Sequence, residues 1–311
     1  MNKVLIPLPI HKNGLNILEE NKVSYKVLDS DTEVNIINNI HDCEAMIIRT
    51  TNITKTIIDN APNLKIIARH GVGLDNIDVE YALSKGIKVT NSPLSNINSV
   101  AEHTVGLILS LLHFIKQGDK EIRIGNFDAR NKLIGHELKE KTLGIIGLGK
   151  IGNLVAKKCH FGFDSKVIGF DPYANNVPDF IKQVKSIDEL LSQADIVSLH
   201  IPFQEDMNHL INKERISLMK KSSILINTAR GKLIDEDALY DALICNDIFG
   251  AGLDCFEVEP TYENKLFELD NVVLTPHMAA HSEESMIKMA ETPAKEVIKV
   301  LMDEESKYEV N

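Results

Sequence analysis

Three polar residues in the second half of the sequence each stand just beyond a short apolar run. Arg230 follows Ile224-Leu225-Ile226-Asn227-Thr228-Ala229, Glu259 comes shortly after Gly250–Leu253, and His277 follows Val272-Val273-Leu274-Thr275-Pro276. Loops at the carboxyl ends of parallel strands converge on the crevice where ligands bind, so this placement predicts one shared site. An arginine fork matches a carboxylate bidentately and can polarise a neighbouring carbonyl. A histidine titrates near working pH and can donate or accept a proton. A glutamate beside it would hold the imidazolium and orient the ring. Together they suit the interconversion of a 2-oxo acid and a 2-hydroxy acid. Singly, each is as well explained by a surface ion pair or a core histidine; the set points to chemistry.

A second group carries a different signal. Gly147-Leu148-Gly149-Lys150-Ile151-Gly152 matches G-x-G-x-x-G, with a strand-like run at 142–146 before it and a helix-like run at 153–159 after it. Asp171 follows the next strand-like run, about 20 residues beyond the glycines, as a dinucleotide site requires. Gly147 would permit the tight turn, Gly149 the approach of a pyrophosphate, and Gly152 close helix–strand packing. The helix N-terminus would offer N–H groups to the anion. A carboxylate at Asp171 would accept from the ribose hydroxyls and repel a 2′-phosphate, which predicts NAD as cofactor.

These residues need a scaffold of alternating strands and helices. Apolar runs at 4–7, 25–28, 45–48, 65–68 and 88–90 precede a second series at 143–147, 166–170, 195–200, 223–227, 250–253 and 272–275. Helical patterns at 12–20, 79–84, 99–116 and 283–301 lie between and around them, and Ser186 and Asp235 have the surroundings of helix caps. The alternation predicts α/β architecture with two parallel sheets. A length of 311 residues, 43% hydrophobic and 25% charged, suits a two-domain soluble protein. The net charge of −11 argues against nucleic acid as a partner. The most apolar segment, 105–115, is too short for a membrane span, and the N-terminal run lacks the features of a signal peptide. The four cysteines are scattered, which suits a reducing, cytoplasmic setting.

At these residues the sequence resembles the D-isomer-specific 2-hydroxyacid dehydrogenase family, over nearly the whole chain. The resemblance rests on Arg69-His70-Gly71-Val72-Gly73-Leu74-Asp75-Asn76-Ile77-Asp78, on Val100-Ala101-Glu102-His103-Thr104, and on the glycine loop with Asp171. Asn227 to Gly231, Gly252 to Pro260, and Pro276-His277 complete it. It implies that Arg230 binds substrate, that His277 is the acid/base and that Glu259 is its partner. Lys150 and Ile151 would lie on the pyrophosphate loop. Thr104, His200, Thr228, Ala229, Arg230, Asp254, His277, Ala279 and Ala280 would contact the cofactor, NAD. The Gly71-Val72-Gly73 backbone would grip the substrate carboxylate, and Arg49 matches a basic position that helps bind phosphoglycerate in some relatives.

The family further implies a Rossmann-type NAD-binding domain at 99–279 and a flavodoxin-like substrate domain from 1–98 and 280–311, in a homodimer. 3-Phosphoglycerate is the leading substrate, with hydroxypyruvate, glyoxylate or another 2-oxo acid as the alternative. An NAD(H)-sensing, corepressor-like binding protein is the alternative of another class, since such proteins retain the triad. One departure is Met278-Ala279-Ala280-His281 after His277, where many members have glycine. No metal site is expected: His277 and His281 have i, i+4 spacing but lack the glutamate of H-E-x-x-H.

Overall fold

Strands that are apolar on both faces must be covered on both faces, and a parallel sheet flanked by helices does this. The computed structural model describes residues 3–310 and contains two such sheets. They lie in two units, one made of the residues up to Asn96 together with those from Ala280 onward, the other of Ile97–Ala279.

The first unit has β1 (Lys3–Ile6), β2 (Ser24–Val27), β3 (Ala45–Ile48), β4 (Ile66–Arg69) and β5 (Lys88–Thr90), all parallel, in the order β2-β1-β3-β4-β5. This is the flavodoxin-like order, with its switch point between β1 and β3. One face buries Met46, Ile48 and Ile67 under α2 (Glu33–Ile40), α3 (Lys55–Asp59) and α4 (Val79–Ser84). The other buries Val4, Ile6, Ala45 and Ala68 under α1 (Lys12–Glu20) and the terminal helix, Glu283–Leu301. Beyond that helix, Glu309 bridges antiparallel to Thr90 at the edge of β5, and the buried Glu296 carboxylate holds the approach by accepting from Ser306 Oγ and Lys307 N.

The second unit has β6 (Thr142–Ile146), β7 (Lys166–Phe170), β8 (Ile181–Gln183), β9 (Ile196–Leu199), β10 (Ile224–Asn227), β11 (Gly250–Leu253) and β12 (Val272–Leu274). Their order, β12-β11-β10-β9-β6-β7-β8, is the dinucleotide-binding arrangement with a seventh strand added. Helices α5 (Ile97–Leu112) and α7 (Lys150–Phe163) pack on one face; α8 (Ile187–Gln193), α9 (Lys213–Ser217) and α10 (Glu236–Ile244) pack on the other, with α6 (Ile115–Arg123) following α5. The α/β class and the Rossmann-type sheet agree with the sequence reading. The switch point falls between β6 and β9, at the head of the glycine loop.

Strand β8 lies outside the expected runs, and one expected helix differs. The helix expected at 99–116 is broken after Leu112, where Phe114 takes a left-handed φ of 53°. No glycine or proline marks the break. His136 N donates to Leu112 O, taking the carbonyl that residue 116 would have used to continue the helix.

Candidate active site

The turn after β10 is built from within. Asn227, fully buried, accepts from Ala229 N through Oδ1 and donates from Nδ2 to Arg230 O, which fixes the backbone that presents Arg230. The next residue, Gly231, packs against the loop after β11 so closely that a Cβ there would lie 1.9 Å from the Phe256 carbonyl. The Arg230 and Glu259 loops are therefore in backbone contact.

Glu259 divides its carboxylate between the chain and the histidine. Oε1 accepts from Phe256 N at 2.9 Å, and Oε2 meets His277 Nδ1 at 2.6 Å. Burial alone would raise the Glu259 pKa, but His277, Phe256 N and Arg230 outweigh it and hold the carboxyl below its usual range. The hydrogen bond to Glu259 raises the His277 pKa, against the pull of partial burial. His277 has a φ of 49°, and its N–H turns back to Thr275 O at 3.0 Å. The turn is held from below by Asp254. That carboxylate accepts from Thr275 Oγ1, Met278 N and Ala279 N, each within 2.8 Å, while His103 Nε2 bonds Thr275 Oγ1 at 2.9 Å.

At the glycine loop, Gly147 has a φ of 96°, and a Cβ there would lie 2.5 Å from His200 O. A Cβ on Gly152 would lie 2.0 Å from Gly147 O, whereas one on Gly149 would meet nothing within 4 Å. Thus two glycines close the protein on itself and the third leaves space open. No side chain caps α7, so its N-terminal N–H groups remain available to an anion. Asp171 Oδ2 accepts from Leu148 N, and Oδ1 from Tyr173 N, which ties the carboxylate to the loop. Lys150 is exposed and Ile151 half-buried at the start of α7. Across the switch point, burial pushes His200 down to about 3, and its Nε2 bonds Ser198 Oγ. These residues fit a dinucleotide.

Three of the expected cofactor contacts are buried. Thr104 is fully buried, its hydroxyl shared between Val100 O and Thr228 Oγ1. Asp254 is 1% exposed and Ala279 4%. Their polar groups bond neighbouring chain, which fixes the backbone around the site. Ala280 begins the return to the first unit. His103 and Thr275 belong to the site's support, although only the motif around 100–104 hinted at them.

In the first unit, the segment after β4 turns its carbonyls inward. Arg69 donates to His70 O and Gly73 O, Ser92 N to Gly71 O, and Asn91 Nδ2 to Val72 O. Among the described residues the N–H groups of Val72 and Gly73 meet no acceptor, so the loop offers two donors, a concavity suited to an anion. Arg49 follows β3 and gives Nη1 to Pro9 O. His70 is buried, and burial beside Arg49 and Arg69 pushes it down to about 3.

A sequence profile described as "D-isomer specific 2-hydroxyacid dehydrogenase, NAD binding domain" matches residues 105–279. The chain is 41% identical over 318 residues to D-3-phosphoglycerate dehydrogenase of Methanocaldococcus jannaschii, an alignment that takes in 100% of this chain but spans only 60% of that protein's length. It is 40% identical over 300 residues to hydroxypyruvate reductase of Thermotoga maritima, covering 94% of this chain and 96% of that one. The solved structure of D-lactate dehydrogenase from Aquifex aeolicus, complexed with NAD and lactic acid, superposes with a TM-score of 0.86 at 33% identity, covering 97% of this chain and 96% of that one.

The contrast between the glycines is testable by calorimetric titration with NADH. Gly149→Ala should keep the parental melting temperature and lose at least about 10-fold in NADH affinity, because the added methyl meets only the ligand's space. Gly152→Ala should lose both. Parental NADH affinity in Gly149→Ala would show that the pyrophosphate lies elsewhere.

Proposed function

The chain belongs to the D-isomer-specific 2-hydroxyacid dehydrogenase family, and we propose that it moves a hydride between NAD(H) and C2 of a small 2-oxo or D-2-hydroxy acid. The observation that carries this reading is the 2.6 Å pair of His277 with Glu259, within electrostatic reach of Arg230. Arg230 binds the substrate carboxylate and polarises the adjacent carbonyl. His277 gives Nδ1 to Glu259, which leaves Nε2 to deliver a proton to the alkoxide during reduction and to remove it during oxidation. Glu259 keeps the imidazolium protonated and oriented. The binding-only alternative is set aside in favour of turnover: the relatives that match this chain along its length are named as reductases and dehydrogenases.

The first unit supports a substrate domain through the Val72 and Gly73 donors. The hydroxypyruvate skeleton is the proposed substrate core, with the 3-phosphorylated form leading. Arg49 supports the phosphate. The full-length match to a hydroxypyruvate reductase favours the unphosphorylated form as the second reading. A homodimer is proposed because Ile122, Ile124, Phe127 and Ile134 each expose more than half their surface in one short stretch. A monomeric mass by light scattering would remove that assignment.

Turnover of a panel of 2-oxo acids with NADH and NADPH tests the reading. NADH should be preferred, and Asp171→Ala should narrow the preference; equal use of both by the parent would refute the role of Asp171. Arg49→Ala should raise KM for the 3-phosphorylated substrate about 10-fold or more and spare hydroxypyruvate. An equal effect on both would point away from the phosphate.

The triad separates by pH. His277→Ala should lower turnover on the order of 10²–10⁴-fold with NADH affinity retained. Arg230→Lys keeps the charge but loses the fork, so KM and kcat should both worsen. Reduction needs protonated His277 and fails as pH rises through its raised pKa. Glu259→Gln removes the partner that raises it, so the alkaline limb should move to lower pH. A fully active His277→Ala would sink the mechanism.

A further inference from the structure

Next to the Arg230 and Glu259 loops lies a set of charged side chains that the triad does not use. The segment after Arg230 runs through a short 3₁₀ turn, Gly231–Leu233, to Asp235, the cap of α10. A separate strap at 209–211 runs alongside it: His209 N donates to Lys232 O, Ile211 N to Leu233 O, and Asp235 N to Ile211 O. His209 sits in the left-handed region, with a φ of 52°. Its ring lies between two carboxylates, with Nε2 3.1 Å from Glu257 Oε1 and Nδ1 3.9 Å from Asp235 Oδ2.

Glu257 stands two residues before Glu259. Its Oε1 also accepts from Glu236 N at 2.9 Å, and its own N–H donates to Glu236 Oε1 at 2.8 Å, while Asn264 holds Glu236 Oε2. The two loops are thus tied by a reciprocal Glu236–Glu257 exchange, by the Gly231–Phe256 backbone contact, and by the histidine that spans both. One residue each of histidine, aspartate and glutamate within 4.8 Å also has the makings of a metal set. However, the Glu257 oxygen nearest His209 already accepts from a backbone N–H, and Asp235 already caps Ala238 N. Their geometry is that of an imidazole held at ion-pair distance between two carboxylates.

We propose that His209 is a positioning residue for the dehydrogenase reaction: by bridging Asp235 and Glu257 it sets the spacing between the Arg230 and Glu259 loops, and so the alignment of His277. Asp235 and Glu257 face its ring directly, and Glu236, Asp237, Glu263 and Lys265 line the cavity beside it. The proposal rests on the triad reading. Because the His209 side chain is 37% exposed, its loss should perturb alignment far more than folding.

The experiment compares the parent with His209→Leu, His209→Gln and Glu259→Gln, reading kcat, KM, NADH affinity, melting temperature and the pH profile of reduction. His209→Leu should lower kcat on the order of 10-fold, since small misplacements at a reacting centre act mainly on turnover. It should also move the alkaline limb to lower pH, the direction expected of Glu259→Gln, with NADH affinity and melting temperature near parental. His209→Gln retains an N–H donor for Glu257 and should recover most of both effects. If Glu259→Gln shifts the limb while His209→Leu leaves the profile and kcat parental, the positioning role is overturned and the triad stands. A loss in His209→Leu that His209→Gln fails to rescue overturns it equally. If Glu259→Gln itself leaves the limb in place, the triad reading falls and this proposal with it.

Discussion

The contact between His277 and Glu259 asks more of its surroundings than it returns in energy. Its side chains are 52% and 34% exposed, and an ion pair at such exposure contributes only about 0–1 kcal/mol. It cannot hold two loops in place by itself. The backbone does that work, from both sides. Asp254, buried, gathers Thr275, Met278 and Ala279 into the turn that aims the imidazole. Phe256 N takes one oxygen of Glu259 and leaves the other for the ring. The ion pair is the visible end of an arrangement in which geometry is fixed by buried, fully bonded neighbours.

The chain carries eleven net negative charges, yet each site proposed for an anion is made of donors. The uncapped start of α7, the Val72 and Gly73 N–H groups and the Arg230 guanidinium are short-range features, and none depends on the overall charge. At physiological ionic strength, fields from distant surface carboxylates decay within about 8 Å, so local donors decide what binds. Neutral histidines at 70 and 200 follow the same economy of charge: His70 is buried and His200 half-buried, and both are pushed to about 3.

Much of this was legible from residue order. The glycine loop announces itself because its constraints are local: a turn, an approach and a close packing, each at a fixed offset. Arg230, Glu259 and His277 could be picked out because each follows a strand that is apolar throughout. What escaped depends on partners distant in sequence. Nothing in Leu112 or Phe114 foretells that His136 will end the helix there. That Thr104 bonds Thr228 and that Asp254 gathers the turn around His277 depends on residues 124 and 21–25 positions away. β8, a three-residue edge strand reading Ile-Lys-Gln, has too short a period to see. His209 and Glu257 are 48 positions apart, and neither lies at a strand end.

The missing side chain at Gly231 has a consequence for how such a protein can change. With the two loops pressed backbone to backbone, an insertion or substitution in one displaces the other, so they drift together or not at all. On the proposed substrate role of Arg49, variation in substrate preference has freer ground in the segments after β1 and β3, where Pro9 and Arg49 meet through an exposed hydrogen bond. A library intended to retarget the protein to bulkier 2-oxo acids is better spent there than around Arg230.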